Sequence, residues 1–254
     1  MDRSSAGDPA RTLALLWRAP DDARAARGPK QRTSVDAVVS AAIDIADTDG
    51  LSALTIRAVA KKLGIAPMAT YTYVPGKAEL LDLILDSVYL HMPRPDISQM
   101  PWRERVSTIA AENRSMLAAH PWVVQVATTR PPLGPGTCAK YEHELQAFDG
   151  LGLADVEMDS ALTYVLGFVA AVARIEIDTH KARVGSGISD QAWWERAEPL
   201  LATVFTAEKF PLAARVGAAA GQAFNSAVSA DHAYEFGLAR VLDGLATVID
   251  RTPG

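Results

Sequence analysis

Thr55-Ile56-Arg57-Ala58-Val59-Ala60-Lys61-Lys62-Leu63-Gly64-Ile65-Ala66-Pro67-Met68-Ala69-Thr70-Tyr71-Thr72-Tyr73-Val74-Pro75-Gly76-Lys77 is the stretch that decides the fold of this chain. Thr55 suits an N-cap, since its hydroxyl can accept from a free backbone N–H two or three residues on, and Val59, Ala60 and Leu63 then recur on one face. Gly64 stands just past Leu63, where a left-handed backbone angle ends a helix, and Pro67 falls in a first turn, where its missing N–H is harmless. The chain therefore stops, turns and restarts within three residues. Val59, Leu63, Ile65 and Val74 form the apolar seam, and Pro67, Met68, Ala69, Tyr71, Thr72 and Tyr73 are left on an outer face. That pattern predicts a helix-turn-helix.

The flanks extend it into a module. Ser34 can cap an upstream helix carrying Val35, Val38, Val39, Ala42, Ile45 and Ala46, closed by Asp47-Thr48-Asp49-Gly50, and Leu80, Leu81, Ile84, Leu85 and Val88 mark a helix from about Lys77 to His91, closed by Pro93. Trp102 to Ala119, Thr137 to Phe148, about Asp155 to Lys181 and about His232 to Val248 are further helices, and no strand pattern of comparable length is present. The expected fold is all-α: a three-helix DNA-binding domain over 34–92, and a larger helical domain over 93–254. Residues 1–33 are expected to be a basic, flexible arm. The stretches 184–191 and 215–230 carry Gly185, Gly187, Gly217 and Gly221 and have the composition of loops.

Charge divides along the same lines. The 254 residues hold 25 Lys and Arg against 30 Asp and Glu. The first 33 nonetheless carry Arg3, Arg11, Arg18, Arg24, Arg27, Lys30 and Arg32 against Asp2, Asp8, Asp21 and Asp22. From Pro93 onward the balance is fourteen basic to nineteen acidic, which disfavours contact with DNA there. Arg24, Arg27, Lys30 and Arg32 lie just before the first helix of the module. There they suit either an arm reaching a minor groove or a solvated tail. Single Cys138 excludes an intramolecular disulfide and fits a reducing cytosol. No segment reads as a membrane span, so a cytoplasmic protein without a membrane partner is expected.

On the outer face there is no Arg, Lys, Asn or Gln between 67 and 73, so the bidentate pairs that read guanine or adenine are missing. Met68, Ala69 and the Thr72 methyl can meet thymine methyls, and the Tyr71 and Tyr73 hydroxyls can reach phosphates. Arg57 is the candidate for a bidentate guanine contact. Val74, and the body of Tyr71, suit the core equally well.

Ile43-Asp44-Ile45-Ala46-Asp47-Thr48-Asp49-Gly50-Leu51, Leu54-Thr55-Ile56-Arg57-Ala58-Val59-Ala60, Leu63-Gly64-Ile65 and Tyr71-Thr72-Tyr73-Val74-Pro75-Gly76-Lys77 together resemble the N-terminal domain of the tetracycline-repressor (TetR) family of bacterial transcription regulators. Thr70 stands where that family usually has a buried Leu or Ile, and Ala69 where it usually has Thr or Ser. A weaker resemblance, carried by Tyr234-Glu235-Phe236-Gly237-Leu238-Ala239-Arg240-Val241-Leu242-Asp243-Gly244-Leu245, points to a tetracycline-repressor-like C-terminal domain. The resemblance implies phosphate binding at Thr55 and Lys77, a homodimer on a palindromic double-stranded operator, and a mostly apolar small-molecule effector. It implies that 93–254 is a ligand-binding and dimerisation domain; ligand binding there is expected to shift the helix from Lys77 to His91, hinged near Pro93 and Pro95.

Candidate pocket residues are Trp122, Tyr141, Phe168, Trp193 and Phe224, each of which suits a plain core as well, and Arg174, which can instead pair with Asp178. Glu176 with His180, and Glu142-His143-Glu144, lack the three or four converging ligands of a metal site and read as surface charge. No residue set suggests catalysis, a metal or a cofactor. The alternative function is a constitutive DNA-binding regulator without a sensor.

Overall fold

The computed structural model describes residues 4–18, 33–126, 130–224 and 229–249, and these are helices joined by turns. In chain order they are α1 (Pro9–Leu16), α2 (Val35–Asp49), α3 (Ile56–Leu63), α4 (Pro67–Thr70), α5 (Lys77–Leu90), α6 (Trp102–Ala119), α7 (Pro135–Leu145), α8 (Asp155–Ser186), α9 (Asp190–Leu201), α10 (Pro211–Phe224) and α11 (Ala230–Ile249). Short 3₁₀ turns at Leu51–Ala53 and Val123–Gln125 link α2 to α3 and follow α6.

The capping chemistry accounts for the first module. Ser34 Oγ accepts from Ala37 N at 3.1 Å and Thr55 Oγ1 accepts from Ala58 N at 3.0 Å, so α2 and α3 begin where their hydroxyls satisfy a free donor. Gly64 takes φ +66°, the left-handed conformation that ends α3 at low cost only for glycine. Pro67 opens α4, a single turn. Val38, Ala42, Leu54, Val59 and Val74 are fully buried between α2, α3 and the turn after α4.

α5 joins this module to the rest. Leu80, Leu81, Leu83, Ile84, Leu85 and Val88 are all buried, because α5 is covered by α2 on one side and by α1 and α7 on others. The buried apolar side chains from Leu16 to Ile249 form one connected cluster. At Gly136 in α7 the helices nearly touch: a Cβ there would lie 2.0 Å from the Asp86 carbonyl oxygen and 2.7 Å from Leu90 N. The Asp86 carboxylate accepts from Gly136 N (3.1 Å), Thr137 N (2.8 Å) and Thr137 Oγ1 (2.9 Å), so α5 supplies the N-terminal cap of α7.

Residues 4–18 are not the extended arm expected of 1–33. Asp8 caps α1, accepting from Ala10 N at 2.9 Å, and Leu16 is buried. Ser5 N donates to Asp82 Oδ1 (2.8 Å), Ser4 Oγ to the Arg130 carbonyl (2.6 Å), and Trp17 Nε1 to the Leu133 carbonyl (2.7 Å). The apolar side chain of Leu16, together with these partners, clasps the segment to α5, which outweighs the solvation its basic composition favours. Arg24, Arg27, Lys30 and Arg32 lie outside the described residues.

α6 and α11 flank α8, which buries Ala161, Leu162, Val165, Val169, Val172 and Ala173. At 32 residues α8 is long and apolar enough to cross a membrane by length and composition alone, contrary to the sequence expectation that no segment approaches a span. Its burial against α6 and α11 is the alternative use of that apolar surface. Arg114 on α6 pins the three together: its Nε donates to Glu176 at 2.9 Å, its Nη2 donates to Glu176 and Asp231, and the guanidinium lies 4.3 Å from the centre of the Tyr234 ring. Glu176 is therefore a partner of Arg114 rather than free surface charge. α9 and α10, which run into the stretches expected to be loops, are helical, yet α10 buries no residue and Trp193, Leu200, Leu212 and Val216 are exposed.

Candidate functional site

The outer surface of the helix-turn-helix is built by the turn that isolates α4. Met68 is 76% exposed and Tyr71 47%, while Thr70 between them is fully buried, so one turn of helix separates a solvent face from a core face. Pro67 and Thr72 are exposed too; Ala69 and Tyr73 are half-buried, Tyr73 packing against the core. The expectation that Tyr73 lies on the open face is thus half correct: chain reversal at Val74, whose N–H donates to the Thr70 carbonyl at 3.0 Å, tucks its ring inward.

Arg57 is exposed on the first turn of α3, next to exposed Thr55, and Lys77 is half-buried at the start of α5. The Thr55 hydroxyl is engaged as the α3 cap, so any phosphate reached there meets the α3 N-terminus as well. Exposed Lys61 and Lys62 end α3, Lys62 pairing with Asp44 at 3.2 Å. Neither was singled out in the sequence, since two lysines on a helix end complement the helix dipole in any protein.

A second feature lies behind this face. A cavity of about 1390 Å³ opens between α2, α5 and α6, closed at one end by Leu16 and Arg18. Its apolar wall includes Val39 and Ile43 of α2, Leu83 of α5, and Met92 and Met116. Asp36, Asp44, Asp86 and Glu112 line it against two guanidiniums, Arg18 and Arg94. Arg18 pairs with Asp36. Arg94 closes the end of α5, donating to the carbonyls of Leu90 (3.0 Å), Met92 (3.3 Å) and Tyr89 (2.6 Å).

None of the six residues expected to line a pocket borders this cavity. Trp122 is core, its Nε1 donating to Asp47 Oδ1 at 2.7 Å and so tying the end of α6 to α2. Phe168 stacks on Tyr234 at 6.1 Å between α8 and α11. Tyr141 is exposed and donates to Asp159 Oδ1 at 2.8 Å; Trp193 is exposed on α9; Phe224 meets His232 at 4.8 Å. Arg174 donates to the Val124 carbonyl at 2.7 Å rather than pairing with Asp178. Aromatic size marks burial in general and does not separate a cavity wall from a packed core. The cavity residues that sequence reasoning missed, Glu112 and Arg94 among them, are scattered over five helices and the turn after α5 and carry no local signal.

Beside the cavity, the Glu142-His143-Glu144 stretch is not surface charge throughout. His143 and Glu144 are buried, His143 Nε2 lying 3.1 Å from Glu112 Oε2, and Glu144 accepting from Asn113 Nδ2 (2.5 Å) and Lys140 Nζ (2.6 Å). Burial pushes the Glu112 carboxyl above its ordinary range, against the opposing pull of His143. Burial likewise raises the Tyr89 phenol, over whose ring Lys140 Nζ sits at 5.3 Å.

The comparisons with known proteins agree with this architecture. The family model described as tetracyclin repressor-like, C-terminal domain, matches residues 94–249. The HTH-type transcriptional repressor DrrR1 of Streptomyces coeruleorubidus is 38% identical over 255 residues, covering 100% of this chain and 91% of that protein. The tetracycline repressor protein class A from transposon 1721 of Escherichia coli is 29% identical over 215 residues, covering 82% and 88%. The crystal structure of the TetR family protein ActR of Streptomyces coelicolor in complex with actinorhodin aligns with a TM-score of 0.70 at 26% identity, over 86% of this chain and 98% of that one. With a helix-turn-helix presented on one side of α5, a matching C-terminal domain on the other, and a relative alike along its whole length, the chain belongs to the tetracycline-repressor family of transcriptional regulators.

Proposed function

We propose that this protein is a homodimeric cytoplasmic repressor, released from a palindromic operator by a small, mostly apolar ligand. The observation that carries it is the single turn of α4, which holds Met68, Tyr71 and Thr72 in solvent beside Arg57. One such face makes few contacts, and two faces about one helical turn apart read a palindrome jointly. In support of a dimer, α8 and α11 carry apolar residues that the single chain leaves uncovered: Tyr164 is 58% exposed and Phe236 57%. A bundle of α8 and α11 with their counterparts in a second copy would cover them. In support of repression and effector control stand the repressor DrrR1 and the complex of ActR with actinorhodin.

The contacts divide by role. Arg57 reads guanine; Met68, Ala69 and Thr72 meet thymine methyls; Thr55, Tyr71, Tyr73 and Lys77 hold phosphates, with Pro67 packed against the backbone. Arg24, Arg27, Lys30 and Arg32 supply an arm to the minor groove. For release, a ligand must favour the spread dimer by several kcal/mol, since equal affinity for both states shifts nothing.

A mobility-shift assay with the DNA upstream of the protein's own gene tests the reading, alongside sedimentation at micromolar concentration. A dimer that retards that DNA, and loses it on addition of actinorhodin or another member of an apolar small-molecule panel, is expected. A monomer, or a tight complex that no compound loosens, refutes the dimeric or the sensing half respectively.

A further inference from the structure

The cavity between α2, α5 and α6 is bounded on one side by the helix-turn-helix module and on the other by the C-terminal domain. Its volume of about 1390 Å³ exceeds what a drug-sized molecule needs. Two side chains on its wall keep a buried polar atom without a hydrogen-bond partner: Arg94, at the donor Nε, and Glu112, at an acceptor. One carboxyl oxygen, Oε2, lies 3.1 Å from His143 Nε2, whereas Oε1 is buried and has no hydrogen-bond partner. The other lining carboxylates are committed: Asp36 to Arg18, Asp44 to Lys62, and Asp86 to the start of α7. The guanidinium of Arg94 is held by three backbone carbonyls at the end of α5.

We propose that this interdomain cavity is the effector site, and that it takes a mostly apolar amine whose N–H group is received by Glu112. The inference rests on the effector-controlled reading above and deepens it. An unsatisfied buried carboxylate oxygen costs free energy that an incoming ammonium donor recovers as a charge-assisted bond. Burial is the strongest influence on the Glu112 carboxyl and raises it against the lowering pull of His143 and Arg94, so a ligand cation would add to a compensation that the wall makes only in part. An anionic ligand would meet four carboxylates against two guanidiniums, Arg18 paired with Asp36 and Arg94 bonded to backbone carbonyls through its Nη groups. The location also supplies a route to release. Val39 and Ile43 belong to α2, and Ser115 and Met116 to α6, so an occupant wedged between them acts on the angle of the helix-turn-helix module directly.

The test is calorimetric titration of the full-length protein with three matched probes: 1-naphthylmethylamine, 1-naphthalenemethanol and 1-naphthoate. The amine is expected to bind at least tenfold more tightly than the alcohol, and the carboxylate most weakly. Glu112→Gln should reduce the preference for amine over alcohol to within about twofold while leaving the helical circular-dichroism signal unchanged. Ser115→Trp, which places a large ring against the cavity, should abolish binding of all three with the melting temperature held. No binding of the amine, equal binding of amine and carboxylate, a preference that survives Glu112→Gln, or binding that survives Ser115→Trp in a folded variant each overturns the proposal. Operator affinity is measured separately with the amine present. Specific cavity binding without operator release sinks the release mechanism and leaves the site standing; release by a compound that acts equally on Ser115→Trp puts the effector elsewhere and overturns the site.

Discussion

Asp86→Ala tests whether α5 holds α7 by capping it. The side chain is 4% exposed and accepts from two backbone N–H groups and one hydroxyl at the start of α7. Loss of an N-cap costs about 0.5–2 kcal/mol. Leaving a buried donor unpaired costs a further ~1–3 kcal/mol, and Gly136 N is the donor least able to reach water, because α7 approaches α5 too closely to admit even a Cβ at that position. The combined penalty is roughly 3 kcal/mol, a sizeable part of the ~5–15 kcal/mol that holds a domain folded. At ~2–4 °C per kcal/mol for a chain of this size, the melting temperature should fall by roughly 6–12 °C. Thermal unfolding followed by circular dichroism reads this directly. A fall of less than about 2 °C would refute the claim that this contact is a cap rather than an incidental neighbour.

Further outcomes follow from other buried groups. Burial first, with Glu79 and Asp86 adding to it and the Ser5 N–H opposing, pushes the Asp82 carboxyl up to about 6 from 3.8. The folded state then binds more protons than the unfolded one between those values, so Asp82 contributes more to stability as pH falls through about 6. Asp82→Asn should therefore melt higher than the parent at pH 7.5, and the gap should narrow as pH falls through about 6 and close near pH 4; a gap that widens on acidification reverses the assignment. Thr70 is fully buried and its Oγ1 has no partner, so Thr70→Val should stabilise by about 1 kcal/mol in a denaturant titration, and a loss of stability would mean that the hydroxyl is satisfied in solution. Arg57→Ala should cost about 1–3 kcal/mol of operator binding and relax specificity at one base pair; equal weakening on every sequence would make it a phosphate contact instead.

The helix-turn-helix was legible because its signals are local. A cap at Ser34 or Thr55, a left-handed glycine at 64 and a proline at 67 each act within one turn of chain, and the structure places the caps, the φ of +66° and the restart at those residues. Thr70 likewise lies in a buried position, as the resemblance implied, though the price of its hydroxyl is visible only in the packed interior. α10 was illegible for the opposite reason: Gly217 and Gly221 suggested a loop, and no buried stripe identifies a helix none of whose residues is buried.

By itself, then, the amino-acid order determined where most helices begin and end and which face of α4 stays wet, because hydrogen-bond caps and 3.6-residue periodicity operate over a few neighbours. Only the tertiary arrangement decided that residues 4–18 clasp α5, that Asp86 caps a helix fifty residues downstream, and that Glu112 lines a cavity with Val39 of α2. Those contacts join positions far apart in the chain. Their partners are set by which helices pack together, and no local pattern of residues encodes that choice.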